Sequence, residues 1–328
     1  MYHGDRVPGF PQHPHRGFET LTVVRKGTVD HSDSLGSSGR YGGDGLSSDL
    51  QWMTAGAGCV HGENFPLVKT NEENTLLLWQ IWRACPRRTA PRCAAPALTA
   101  PPQPPPPVNL PAARKMARPG FKMYWAERAV HVAGAGGASA EVVAGRLGGA
   151  AASGGAPPPP DSWAADAAHD VAVFLVTLPP GGALTLPPAA AGARASRMAY
   201  VVEGPRGAGV TVGGEAPPAA ARGRAAFEAR GDAPLELALV AGASEAAWVL
   251  VLQGVPIGEP VAQSGPFVMN TRAEIAAAHA DYQRTGFGGW PYADDAVVFP
   301  RSQGRFAEMV VDGVKVREEP PRRAPRDL

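Results

Sequence analysis

An all-β protein of two tandem domains with one short late helix is the fold class this sequence predicts, and three observations carry it. The 40 glycines and 35 prolines divide the chain into short apolar or alternating runs, which is how sandwiches and barrels read in sequence. Helical periodicity is nearly absent. The 328 residues exceed the roughly 100–200 of a usual single domain, so two cores are expected.

Taken in order, strands are expected at Glu19–Lys26, Thr28–Asp33, Leu50–Thr54, Leu76–Trp82 and Phe121–Trp125. Lys26-Gly27 reads as a turn between the first two, because glycine reaches the backbone angles that tight turns need. Arg83–Val108, crowded with Pro, Ala and Arg, fits no pattern and is longer than connections inside compact domains usually are. It is expected to be either a disordered insertion or a translated non-coding segment. Ala133–Pro160, Gly/Ala-rich and closed by Pro157-Pro158-Pro159-Pro160, reads as a long loop or linker with at most one short strand inside it. A second set of strands is expected at Ala140–Val143, Ala172–Leu178, Ala183–Leu186, Met198–Glu203, Gly209–Val212, Ala225–Ala229, Leu235–Val240 and Ala247–Gln253. Thr271-Arg272-Ala273-Glu274 matches a capping box, with Ile275, Ala278, His279 and Tyr282 at one-face helical spacing and Gly286 as the stop. From Arg317 onward, prolines among alternating charges cannot bury enough apolar surface to order the chain. The expected boundaries are 1–125 for the first domain, 126–265 for the second, and 266–328 for the helix and a disordered tail.

Charge and cysteine content narrow the function classes. With 31 Lys+Arg against 30 Asp+Glu and a net charge of +1, no basic footprint favours direct contact with nucleic acid or an anionic membrane. Cys59, Cys85 and Cys93 have no zinc-finger spacing, and an odd count without a signal peptide points to free thiols in a reducing compartment. The longest apolar runs fall short of the roughly 18 residues that a membrane helix needs. A soluble intracellular protein is therefore expected; oligomeric state is not legible from these features, and a monomer is the default.

Two short strings carry the chemistry. His13-Pro14-His15 and His61-Gly62-Glu63 each place two metal-ligating side chains two residues apart, and on a strand such residues project from one face. Side by side, the two strands aim His13, His15, His61 and Glu63 at a common point. That donor set suits a divalent first-row metal such as Fe(II) better than a structural zinc, whose sites favour cysteine. Cys59 lies two residues before His61, so a continuing strand turns its sulfur to the same side; a small buried apolar residue is the other reading. Trp52, Trp79 and Trp82 read as barrel core, or as a platform for a planar aromatic ligand.

His13 to Glu19 has the form HxHxxxE and Gly58 to His61 the form GxxH. Both resemble the metal motifs of the cupin superfamily, whose fold is a small β-barrel. Residues 9–20, Asp30-His31-Ser32-Asp33-Ser34, Gln51-Trp52-Met53-Thr54-Ala55-Gly56, Asp161-Ser162-Trp163 and Gly265-Pro266-Phe267-Val268-Met269-Asn270-Thr271 more specifically resemble the pirin family of two-cupin (bicupin) proteins. The resemblance implies one iron-type site in the N-terminal cupin, with His13, His15, His61 and Glu63 as ligands, and a C-terminal cupin without metal. It also implies quercetin-type flavonol 2,3-dioxygenase chemistry on a small planar aromatic substrate, with Fe(II) or another divalent transition metal and with Glu63 doubling as the base. The alternative it carries is an iron- and redox-dependent transcriptional cofactor that binds a protein partner without turnover. Glu19 is a rival carboxylate: the general cupin pattern makes it a ligand, whereas the pirin resemblance gives that role to Glu63. In three places the chain departs from the family. It starts almost at the metal motif, so the strands that open the first barrel are expected to be missing. Ala57, Cys59 and Gly62 replace a basic residue, a larger apolar one and Ser or Ala respectively, and Gly42–Asp49 is long. None of these removes a ligand.

Overall fold

The computed structural model describes residues 8–81, 108–148, 157–204, 209–215, 226–311 and 313–322. Most of the expected insertion, together with Trp82, Cys85 and Cys93, lies outside the described residues. The structure is all-β with one helix. Its strands are β1 (Gly9–His15), β2 (Phe18–Asp33), β3 (Ser38–Thr54), β4 (Cys59–Asn64), β5 (Leu77–Ile81), β6 (Val108–Asn109) and β7 (Gly120–Tyr124). There follow β8 (Val130–Ala133), β9 (Ser139–Ala144), β10 (Ala172–Leu178), β11 (Ala183–Leu186), β12 (Ser196–Glu203), β13 (Val210–Val212), β14 (Ala226–Arg230), β15 (Leu235–Leu239) and β16 (Ala247–Gly254). The chain closes with β17 (Ala262–Ser264), β18 (Phe267–Met269), helix α1 (Arg272–Thr285), β19 (Phe306–Val311) and β20 (Val314–Glu318). No helix among the described residues is long and apolar enough to cross a membrane.

Two compact units emerge. The first takes in residues 1–127, 159–162 and 257–328, and the second Arg128–Pro158 and Trp163–Pro256. In the second, a six-stranded sheet ordered β14-β12-β16-β10-β9-β8 faces a three-stranded one ordered β11-β15-β13. Alternate residues of each strand point inward: Val142, Phe174, Val176, Val249 and Val251 from one sheet meet Leu184, Leu186, Val210, Leu235 and Leu237 from the other. Each such buried side chain contributes about 1.5–3 kcal/mol. The inside of this unit is apolar.

The first unit is organised around β2, which pairs with β3, β4, β5 and β6. The expected turn at Lys26-Gly27 is instead the middle of this one strand. Leu21–Lys26 pairs with β5 and Asp30–Asp33 with β4, and the register shifts between Val24 and Lys26. Gly27 bends the strand rather than reversing it. Its φ is +88°, and a Cβ there would stand 2.5 Å from the Thr75 carbonyl oxygen, so the position takes only glycine.

Helix α1 forms as the sequence predicts. The Thr271 hydroxyl caps the Glu274 N–H, the Glu274 carboxylate returns to the Thr271 N–H, and Gly286 ends the helix at φ +55°. Ile275 and Ala278 pack with Val60, Phe267, Met269 and Phe287. The tail differs from expectation, since Arg317 and Glu318 lie within β20, paired to β19. Backbone pairing supplies what composition lacks, and the Arg317 guanidinium sits 4.4 Å from the centre of the Phe306 ring while bonding Glu308.

Arg40 clamps the segment between α1 and β19. Its Nε and Nη2 donate to the buried Asp30 carboxylate at 2.6 and 2.7 Å, and its remaining donors reach the carbonyls of Phe299, Pro300 and Gln303 at 2.8–2.9 Å. Every contact lies within the first unit. Arg40→Leu leaves Asp30 charged and buried and frees three carbonyls, so urea unfolding is expected to show a loss of about 3–5 kcal/mol, partly restored when Asp30→Asn is added.

Candidate metal centre

Antiparallel pairing of β1 with β4 builds the centre. The register sets His13 opposite His61 and His15 opposite Cys59, with an irregularity between Phe10 and His13. Ring centroids are 4.8 Å apart for His13 and His15, 4.5 Å for His13 and His61, and 4.9 Å for His15 and His61. One nitrogen from each ring falls within 4.8 Å of the other two. His15 and His61 are buried, and His13 is partly open.

Backbone carbonyls fix two of the rings. His13 Nδ1 lies 2.9 Å from the Pro11 oxygen and His15 Nδ1 lies 3.4 Å from the Pro266 oxygen. A carbonyl only accepts, so both rings carry the proton on Nδ1 and present the Nε2 lone pair. His61 is fully buried, and neither of its ring nitrogens has a hydrogen-bond partner. Burial, reinforced by the neighbouring histidines, lowers the pKa of His61 far below the ordinary imidazole value and that of His15 to about 3. Both are neutral ligand donors at physiological pH.

Glu63 follows His61 by two residues on β4, but it is not among the three residues whose ligand atoms converge; its carboxylate lies in a cradle of donors. Its Oε1 accepts from Thr22 Oγ1 and Tyr41 Oη, each at 3.1 Å, and its Oε2 accepts from Gln80 Nε2 at 2.5 Å. Oε2 keeps a further lone pair, so the carboxylate can still serve a metal or a proton. Thr22, Tyr41 and Gln80 escaped the reading of the sequence, although polar residues inside otherwise apolar strands are a usable signal.

The rival carboxylate, Glu19, has its own set of donors. Glu19 is fully buried, accepting from Thr54 Oγ1 and Ser162 Oγ at 2.7 Å each. Cys59 is also outside the cluster, its thiol 3.9 Å from the Ser34 oxygen and 3.5 Å from the Val60 carbonyl. Burial pushes its pKa up and keeps it a thiol, which removes the basis for a reactive sulfur at the site. His31 is fully buried, with its ring 5.4 Å from His61 and its Nε2 3.4 Å from Asp33 Oδ2. His279 packs edge-on against Phe267 at 4.7 Å, and Trp52 is core.

A tandem pair of β units with three histidines converging inside the first defines a bicupin. The Pirin family pattern matches residues 1–83, and the Pirin C-terminal cupin domain matches residues 173–288. The chain is 35% identical to a Pseudomonas aeruginosa protein named "Putative quercetin 2,3-dioxygenase", over 85% of this chain and 80% of that one. It is 33% identical to a pirin-like protein of Caulobacter vibrioides, over 86% and 82%. A crystal structure of quercetin 2,3-dioxygenase from Acinetobacter baumannii superposes with a TM-score of 0.64 at 28% identity, over 87% of this chain and 81% of that one. The chain belongs to the pirin family.

The family implies a metal cofactor, and the residues present fit one. A buried imidazole without a partner costs about 1–3 kcal/mol, and His61 holds two such nitrogens at the point where the other two rings converge. Ligation by a divalent ion offsets that cost.

Glu19 supplies a pH test. No cation among the described residues offsets its burial, which raises its pKa from 4.5 to about 7. A raised carboxyl pKa means that ionisation is harder in the folded state, so stability falls as pH rises from about 4.5 to about 7. Glu19→Gln removes this loss. Its stability relative to the parent is expected to increase by about 3 kcal/mol between pH 4 and pH 8, read from urea midpoints across that range.

Proposed function

We propose that this protein is a mononuclear metal-dependent oxygenase of the quercetin 2,3-dioxygenase type, with His13, His15, His61 and Glu63 holding Fe(II) or another divalent transition metal. One observation carries the reading: His61 is buried with both ring nitrogens unpartnered, against two histidines whose Nε2 atoms are turned to the same point. Three imidazoles and one carboxylate leave room for exogenous ligands on a six-coordinate ion. Bound there, the metal supplies Lewis acidity and open coordination positions.

The protein's own groups divide the remaining work. Phe18, 5.0 Å from His15 and itself buried, keeps water from the inner side of the cluster. His13 is the open side, and the exposed Phe10 ring lies 6.4 Å from it, offering an aromatic edge to a planar substrate. Thr22 and Tyr41 hold Glu63 Oε1 and Gln80 holds Oε2, so the remaining lone pair of Oε2 takes the proton of the substrate's hydroxyl, as a general base requires.

Metal content and quercetin-dependent oxygen uptake of the parent, His61→Ala and Glu63→Gln proteins test this. About one metal per chain is expected in the parent, with its loss and the loss of uptake in His61→Ala. Glu63→Gln is expected to lower kcat by about 10²–10⁴-fold. Turnover by metal-free His61→Ala sinks the proposal. A metal-loaded parent without oxygen uptake moves the reading to a metal-dependent binding protein.

A further inference from the structure

Lys115 is a buried cation held by oxygens of neutral groups. It is 2% exposed, and its Nζ donates to the Gly17 carbonyl at 2.7 Å, the Val268 carbonyl at 3.0 Å and Asn109 Oδ1. An ammonium has three N–H bonds, and all three are used. No carboxylate forms an ion pair with it among the described residues. Glu259 and Glu274 favour the charge only from a distance and burial outweighs them, so the buried charge is costly and a methionine-like side chain would fill the space at lower cost. What the charge adds is a grip on two carbonyls far apart in sequence, one at the end of the His13-Pro14-His15 motif and one in β18.

Those carbonyls flank a short parallel bridge. Arg16 pairs with Phe267, Val268 N–H donates to the Arg16 carbonyl at 3.0 Å, and Arg16 N–H donates to the Pro266 carbonyl at 3.4 Å. The Pro266 carbonyl also takes the His15 Nδ1 proton. The approach is close enough to dictate a residue: Gly17 has φ +84°, and a Cβ there would stand 2.0 Å from the Val268 oxygen.

We propose that Lys115 is a positioning residue for His15: by gripping the carbonyls of Gly17 and Val268 together it holds the Pro266 carbonyl against His15 Nδ1, which fixes the ring's tautomer and aims Nε2 at the histidine cluster. The inference rests on reading His15 as a metal ligand. Hydrogen bonds to the distal nitrogen of a ligating histidine fix ring orientation and tautomer, and their loss weakens metal binding about 10–100-fold. In this chain that bond is set by a lysine 100 residues along the sequence from His15 and by a segment beyond the second unit. The recognisable Gly265 to Met269 stretch thereby acquires a role that its turn and strand alone do not give it.

The test uses full-length protein stripped of metal. Nitrogen-15 spectra of the histidine rings report the His15 tautomer, and titration with Co(II) reports affinity. The metal-free parent is expected to carry the His15 proton on Nδ1. Lys115→Met, folded by its thermal transition, is expected to show both tautomers and to bind Co(II) about tenfold or more weakly. Gly17→Ala, which drives the Val268 carbonyl away while leaving Lys115 in place, is expected to do the same. A His15 proton on Nε2 in the metal-free parent overturns the proposal, as does a folded Lys115→Met protein with the parent's tautomer and affinity. Where a variant fails to fold, the parent's tautomer decides. A parent that binds no Co(II) counts against the metal site itself, and the tautomer still decides the clamp.

Discussion

The antiparallel register between β1 and β4 is the constraint on which the centre depends. It sets His13 across from His61, and a slip of one residue would turn every side chain of a strand to the opposite face. β2 locks that register from the other side of β4, with His31 opposite Glu63 and Asp33 opposite His61. Pairing on both edges of β4 thus fixes His13 and His15 on one side and His31 and Asp33 on the other.

Holding neutral imidazoles in a buried place is costly without a ligand, and the first unit is built to bear it. The carbonyls of Pro11 and Pro266 satisfy one nitrogen on each of two rings, while Thr22, Tyr41 and Gln80 satisfy the carboxylate of Glu63. The second unit follows the same inward and outward alternation with a different filling: Phe174, Val176, Val249, Val251 and their partners close its interior with apolar side chains.

Segments distant in sequence complete the first unit. Arg40 holds the carbonyls of Phe299, Pro300 and Gln303, β19 pairs with β3, and Phe267 bridges to Arg16. The residues that orient the centre are therefore spread from β1 to β18. No local window of sequence contains them.

The sequence by itself determined what depends on local pattern. The strands of the second unit were legible because Ala172–Leu178, Leu235–Leu239 and their neighbours are β-rich runs bounded by glycine and proline. Helix α1 was legible because Thr271, Glu274 and Gly286 are capping chemistry written in order. His13, His15 and His61 were legible because a spacing of two on a strand is a statement about faces. Tertiary structure alone decided the rest. Gly27 could have ended a strand or bent one, and only the switch of β2 from β5 to β4 chose the bend. The charged run after Val314 gained order from β19, which composition does not reveal. Glu63 and Glu19 were both candidates by spacing, and the donors that hold each come from distant parts of the chain: Thr22, Tyr41 and Gln80 around one, Thr54 and Ser162 around the other. Those neighbours are a property of strand pairing across the chain, and pairing partners are not encoded by the residues on either side of a position.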